Sequence, residues 1–151
     1  METLLESIGG IVGFSNLSDG RYKKNIQQDV KGIDFIMKLR PVTYELDMWE
    51  LNKKLYPGKK MDTHSAESIA AIGNTIFSGF VAQEVEQAAA QAGYNFSGVD
   101  KPKNGNDMYG LRYAEFVVPL VKAVQEQQQM INELKKQNSD LQKRILLLEK
   151  K

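Results

Sequence analysis

The side chains best suited to covalent chemistry lie in the stretch NLSDGRYKKNI, residues 16–26, where Ser18 stands five positions ahead of Lys23. A chain with no cysteine and a single histidine has no Cys nucleophile, so a serine activated by a lysine base is the combination to weigh. Regular structure keeps the two apart: they point about 140° from one another on a helix and to opposite faces of a strand. A turn brings them together. Asp19-Gly20 is a favoured pair for a two-residue hairpin, in which Ser18 faces Arg21, Leu17 faces Tyr22 and Asn16 faces Lys23. Ser18 and Lys23 are then diagonal neighbours roughly 7–8 Å apart, within reach of a lysine. A lysine in water, with a pKa near 10.4, is neutral in only about one molecule in two thousand. Arg21 and Lys24 crowd Lys23 with positive charge, and burial in an oligomer interface adds desolvation, so a base is expected only once an assembly has formed. On spacing alone, this pair and a plain solvated hairpin tip both stand.

The bulk numbers narrow the alternatives. With 151 residues, 42% hydrophobic and 26% charged, the chain is long enough for one globular domain. Its 20 basic and 19 acidic residues leave a formal charge of +1, so no net field recruits nucleic acid or an anionic membrane, and neither is expected as a partner. Without cysteine there is no disulfide framework and no thiolate zinc site. His64, in the polar loop MDTHSAES, reads as a surface histidine, so no metal and no cofactor are expected. The opening METLLESIGGIVGF lacks a basic n-region and a long apolar run, and no stretch has the apolar length of a membrane span, so a soluble chain is expected.

The positioning elements follow from periodicity. Residues 1–17, broken by Gly9, Gly10 and Gly13, suit a strand or extended linker, like the end of an upstream strand region. Ile26, Val30, Ile33, Ile36 and Met37 recur at helical spacing, which predicts an amphipathic helix despite Gly32. Val42, Tyr44 and Leu46 alternate as in a strand with one buried face, after Pro41. From Trp49 to Ile76 no period is sustained, and an excursion with one short helix is expected. Phe77–Val81 reads as a strand passing into a helix that ends at Gly93 as a C′ glycine. A turn-rich loop then returns through Tyr109, Leu111 and Tyr113.

The last segment has the strongest pattern. Counting in sevens puts Val117, Val124, Ile131, Asn138 and Ile145 at a, with Leu120, Gln127, Leu134, Leu141 and Leu148 at d. Eight of those ten are apolar, the seam of a coiled coil. Pro119 belongs in the first turn, and the straight helix from about Pro119 to Lys151 spans roughly 50 Å. So long and narrow a stripe cannot fold back on a small domain, so copies of the same helix must cover it. Gln127 and Asn138 are polar layers that hold register, and Arg144 reaches a neighbour's Glu149. By the heptads alone the pattern leans to two strands.

SDGRYKKNI resembles the S-D-x-R-x-K-x-N-I signature of the S74 peptidases, the intramolecular chaperone domain that ends phage tail spikes, tail fibres and endosialidases. LRPVTYEL, GFVAQEVEQ and YGLRYAEFVVPLVKAVQEQ resemble further blocks of that family, in the same order. The resemblance implies an α+β domain over 18–116 and a C-terminal helix over 117–151 forming a parallel trimeric coiled coil. It implies a homotrimer, without cofactor, that helps an upstream fibre or spike of the same polypeptide to fold. The domain then cuts itself away between Leu17 and Ser18, with Ser18 as nucleophile and Lys23 as general base. Asp19, Arg21, Gln83 and Glu84 are implied as supporting residues, Gln83 and Glu84 by orienting Lys23 or by capping backbone at the trimer interface; as plain sequence the two are the first turn of a helix, where Glu suits the dipole. The rival reading is the same trimeric cap left uncleaved at a fibre tip. The implied location is a phage virion tail or a bacterial cell surface, after assembly in the cytoplasm.

Overall fold

A computed structural model describes residues 16–58, 63–105 and 107–149, with the backbone alone for 63–65. The strand or linker expected over 1–17 lies almost wholly outside the described residues, as does the side chain of His64.

The fold is organised around Phe35, which has no exposed surface. It sits in α1, the single turn Ile33–Ile36, and its ring meets Tyr94 edge-on at 5.3 Å and Phe96 at 4.9 Å. Phe96 passes the contact to Phe116 at 4.8 Å, and Phe116 stacks on Phe80 at 5.3 Å. Rings at these separations gain edge-to-face and offset attraction beyond simple burial. Val85, Ala88, Ala89 and Ala92 close the core from one side. Val85, Ala88 and Ala89 recur on one face of α4, Ala82–Gln91, with Ala92 at its C-cap, and alanine there lets α1 and the aromatic ladder approach closely. The expected C′ glycine is there: Gly93 has φ +59, and the Tyr94 N–H reaches back to Ala89 O at 2.9 Å, as a left-handed helix end requires.

The strands are short. β1, Val42–Tyr44, pairs antiparallel with β2, Phe77–Gly79, Val42 facing Gly79 and Tyr44 facing Phe77. β3, Val99–Asp100, pairs with β4, Gly110–Leu111. The architecture is α+β, two small antiparallel pairs and helices ahead of one long helix. Leu46 and Val81 fall outside the strands predicted to hold them, and Tyr44 and Leu46 are partly exposed.

Two helices occupy the region read as an excursion with one. α2, Met48–Leu55, is capped by Asp47, whose carboxylate accepts the Glu50 N–H at 3.0 Å. α3 is Thr63–Gly73. The two helices pack together, Met48 and Ile69 are buried, and a side chain at Gly73 would meet Met48 Cγ at 3.8 Å. Each helix is too short to show a repeated period, and Pro57-Gly58 interrupts the pattern between them.

The helix predicted over Ile26–Met37 shrinks to α1, and Gly32, at φ −95 and ψ −106, stands off the helical path as its N-cap. A Cβ there would lie 2.4 Å from Glu126 Oε2 and 2.7 Å from the Ala123 backbone nitrogen. Gly32 therefore lets the chain pass against α5, Val117–Glu149, where Glu126 Oε2 accepts the Ile33 N–H at 2.8 Å. Ile26 and Met37, assigned to the buried face, are 73% and 77% exposed.

Candidate self-cleavage site and assembly helix

Ser18 and Lys23 meet, by a different route from the hairpin expected. Neither Asp19 nor Gly20 adopts the positive φ of such a turn: Asp19 is extended at φ −69, ψ 123, and the positive-φ residue nearby is Asn25 at φ 52. The segment Gly20–Tyr22 is instead one turn of 3-10 helix. Asp19 competes for the local backbone as a cap: its Oδ1 accepts the Arg21 N–H at 2.9 Å, satisfying a donor that the turn leaves open. The Tyr22 and Lys23 N–H groups close onto Asp19 O at 3.1 Å and Gly20 O at 3.2 Å. The tightly wound turn shortens the path from residue 18 to residue 23, and Lys23 Nζ donates to Ser18 Oγ at 2.8 Å.

Arg21 does not crowd Lys23 in the manner expected. Its guanidinium folds onto Asp19, with Nη2 2.6 Å from Oδ2 and Nε 3.1 Å and 3.0 Å from the two carboxylate oxygens. This pairing holds the Asp19 carboxyl below its ordinary range, the side-chain bond from Arg21 contributing most and the backbone bond adding to it. Arg21 also lies 5.8 Å from the centre of the Tyr22 ring, a cation–π distance. The Leu17 side chain, on the other side of Ser18, is 89% exposed.

Gln83 and Glu84 occupy the first turn of α4, and the partner of Glu84 is Arg40 rather than Lys23. Glu84 takes a forked pair from Arg40, with Nε 3.0 Å from Oε2. Arg40 thereby keeps the Glu84 carboxyl below its usual range, chiefly by this hydrogen bond. An acid so near a helix start also suits the dipole. Gln83 lines an open groove of about 640 Å³ with Tyr44, Phe80, Tyr109 and Tyr113. The wall of that groove explains the glycine of GFVAQEVEQ. The Tyr113 hydroxyl accepts the Phe80 N–H at 3.1 Å, and a Cβ at Gly79 would lie 2.3 Å from that hydroxyl. Only a glycine admits Tyr113 this close.

The long helix carries two different faces. Pro119 lies in its first turn, as expected, where its missing N–H breaks no intrahelical bond. Phe116, Pro119, Ala123 and Glu126 face the body of the fold, at heptad positions g and c. The a and d positions look elsewhere, roughly 110° around the helix at 100° per residue. Val117, Leu120 and Val124 are 57%, 46% and 62% exposed. From Gln127 to Glu149 every residue is exposed, including Ile131, Leu134, Asn138, Leu141, Ile145 and Leu148. The single chain thus covers one face of the helix and leaves the apolar seam bare, consistent with the expectation that the stripe does not fold back on the domain.

Sequence reasoning overlooked Phe35, the close passage at Gly32, Arg40 as partner of Glu84, and the contact of Tyr113 with Gly79. The signal at Gly32 was visible as a glycine inside an apparently helical run, which marks a close backbone approach as readily as a weak helix. Among the described residues no helix is long and apolar enough to cross a membrane.

The family model for the chaperone of endosialidase, peptidase S74, matches residues 18–94. Three of the four resembling blocks fall inside that range, and the fourth, from Tyr109 onward, follows it. No curated protein and no solved structure matches the chain significantly. With a match that begins at Ser18 and takes in just over half of the 151 residues, the protein belongs to the chaperone of endosialidase family, peptidase family S74.

Proposed function

We propose that the chain is a C-terminal intramolecular chaperone that trimerises an upstream fibre or spike and then releases itself by cutting between Leu17 and Ser18. Residues 1–17 are the fibre-side remnant, 18–116 the chaperone and peptidase domain, and 117–151 the coiled coil that joins three copies. The observation that carries the reading is the 2.8 Å contact between Lys23 Nζ and Ser18 Oγ, within reach for proton transfer.

In the first step a neutral Lys23 amine takes the Ser18 hydroxyl proton, and Oγ attacks the Leu17 carbonyl carbon. The tetrahedral intermediate collapses with loss of the Leu17–Ser18 C–N bond. Its nitrogen takes the proton back from Lys23, leaving Leu17 as an ester on Oγ and Ser18 with a free amine. Water then hydrolyses the ester to a Leu17 carboxylate and restores the hydroxyl. The lysine must be neutral to begin. Association along Val117, Leu120, Val124 and the seam beyond brings the bodies of three chains together, and desolvation by neighbours favours an uncharged amine. Assembly and cutting are thereby ordered in time.

Intact mass of freshly purified full-length chain tests this directly. Loss of residues 1–17 is expected in the native sequence and not in Ser18→Ala, which should sediment as a trimer. A native chain of full mass after prolonged incubation as a trimer would refute the cutting step and leave the uncleaved cap. A monomeric Ser18→Ala protein would refute the assembly.

A further inference from the structure

Between the two reacting residues stands a carboxylate, Asp19, four positions from Lys23 and the nearest anion along the chain. An exposed lysine beside a half-buried aspartate would ordinarily pair with it, yet the Lys23 amine points to Ser18 Oγ. The reason is on the other side of Asp19, where Arg21 engages both oxygens through Nε and Nη2 while its own N–H takes Oδ1. A guanidinium fork matches a carboxylate bidentately, which an ammonium cannot do.

We infer that Arg21 is a positioning residue: by occupying the Asp19 carboxylate it keeps that anion from capturing the Lys23 amine and so leaves the amine to Ser18. Arg21 therefore acts as a competitor of Lys23 for one counter-ion, a role distinct from stabilising the turn. The charged groups beside Lys23 are Asp19, Arg21 and Lys24, all on its own segment, and among the described residues no other helix or strand makes a substantial contact with that turn. The depressed Asp19 carboxyl, with Arg21 as the chief cause, agrees with the pairing. With Arg21 removed, the free carboxylate is left to Lys23, and an anion beside an ammonium favours its charged form.

This inference rests on the self-cleavage reading for its consequence, although the counter-ion exchange can be measured without cutting. The first measurement is the titration of Lys23 by ¹³Cε NMR in full-length Ser18→Ala protein. Adding Arg21→Ala should move the Lys23 midpoint upward by about half to one pH unit, because it removes a neighbouring cation and frees the Asp19 carboxylate. Adding Asp19→Asn as well should move it back, since the amide keeps the cap acceptor and removes the charge. The second measurement is the self-cleavage rate against pH with Ser18 intact. Arg21→Ala should cut roughly three- to tenfold more slowly below the alkaline plateau and equally fast on it. Asp19→Asn/Arg21→Ala should recover the native profile.

A Lys23 midpoint that ignores Arg21→Ala, or that shifts without returning in the double variant, overturns the inference. So does a slower cut at every pH that Asp19→Asn fails to rescue, the signature of a merely structural arginine. If the midpoints move as expected and no chain ever cuts, the counter-ion role stands and the self-cleavage reading falls.

Discussion

Gly32→Ala should weaken the fold by displacing the long helix from the body. The added methyl would lie 2.4 Å from Glu126 Oε2 and 2.7 Å from the Ala123 backbone nitrogen. The carboxylate can swing aside, but the helix backbone cannot, so the two segments must separate. Overpacking of this kind costs about 1–3 kcal/mol. Separation also removes the 2.8 Å bond from Ile33 N–H to Glu126, and a bond to a charged acceptor contributes about 1.5–3 kcal/mol. Replacing a glycine returns about 0.4–1 kcal/mol through the unfolded chain. The net loss is about 2–5 kcal/mol. In urea unfolding followed by far-UV circular dichroism, at equal protein concentrations, the midpoint should fall by roughly 1–2 M. Gly20→Ala is the control, because a Cβ there meets nothing within 4 Å, and its midpoint should stay within about 0.3 M. A Gly32→Ala protein as stable as that control would refute the argument from close approach.

Tyr113→Phe should cost about 1 kcal/mol by leaving the Phe80 N–H without its acceptor. Gly79→Ala should cost more alone than in the Tyr113→Phe background, because the clash is with the hydroxyl, and a double-mutant cycle in urea reads the difference. Acid should also destabilise the body. Glu84 and Glu86 have carboxyls lowered in the folded state, Glu84 by Arg40 and Glu86 first by Lys101 and then by Tyr109. A depressed carboxyl contributes stability above its unfolded pKa, about 4.3 for Glu, and loses it as pH falls through the lower folded value. The urea midpoint should therefore be flat from pH 7 to about 5 and decline below about 4.5. Salt-bridge removal by Arg40→Gln should reduce that decline, and an unchanged acid limb would refute the assignment to these pairs.

The parts of this protein that repeat were the parts legible in the sequence. A heptad pattern over five turns of seven fixes the long helix whatever surrounds it, and an Ala-rich helix closed by Gly93 announces both its buried face and its end. Ser18 and Lys23 were legible as a pair and misread as a hairpin, since Asp19-Gly20 serves two kinds of turn. The side chain of Asp19 decides between them, and it does so through Arg21, whose folded-back guanidinium no spacing rule describes. The segment before α1 failed for a similar reason. Its apolar residues sit at helical intervals, yet Ile26 faces solvent, and Gly32 at its end is held against α5, a contact more than 90 positions away in the chain. α2 and α3 are short helices with one buried core side chain each among the described residues, Met48 and Ile69, too few positions to declare a period.

The body grips the rod at Pro119, Ala123 and Glu126, while the bare stripe continues past Gln127 along the same rigid cylinder. Rod and body are therefore keyed in rotation, and in the proposed coiled coil the residue count between grip and stripe sets the angle of each body around the bundle. One residue inserted after Glu126 would turn the distal stripe by about 100° relative to the body, and seven would bring it back to within about 20°. Between those lengths both halves stay well formed while the domains point the wrong way, so spacing in this helix acts as a compass bearing for everything attached to it.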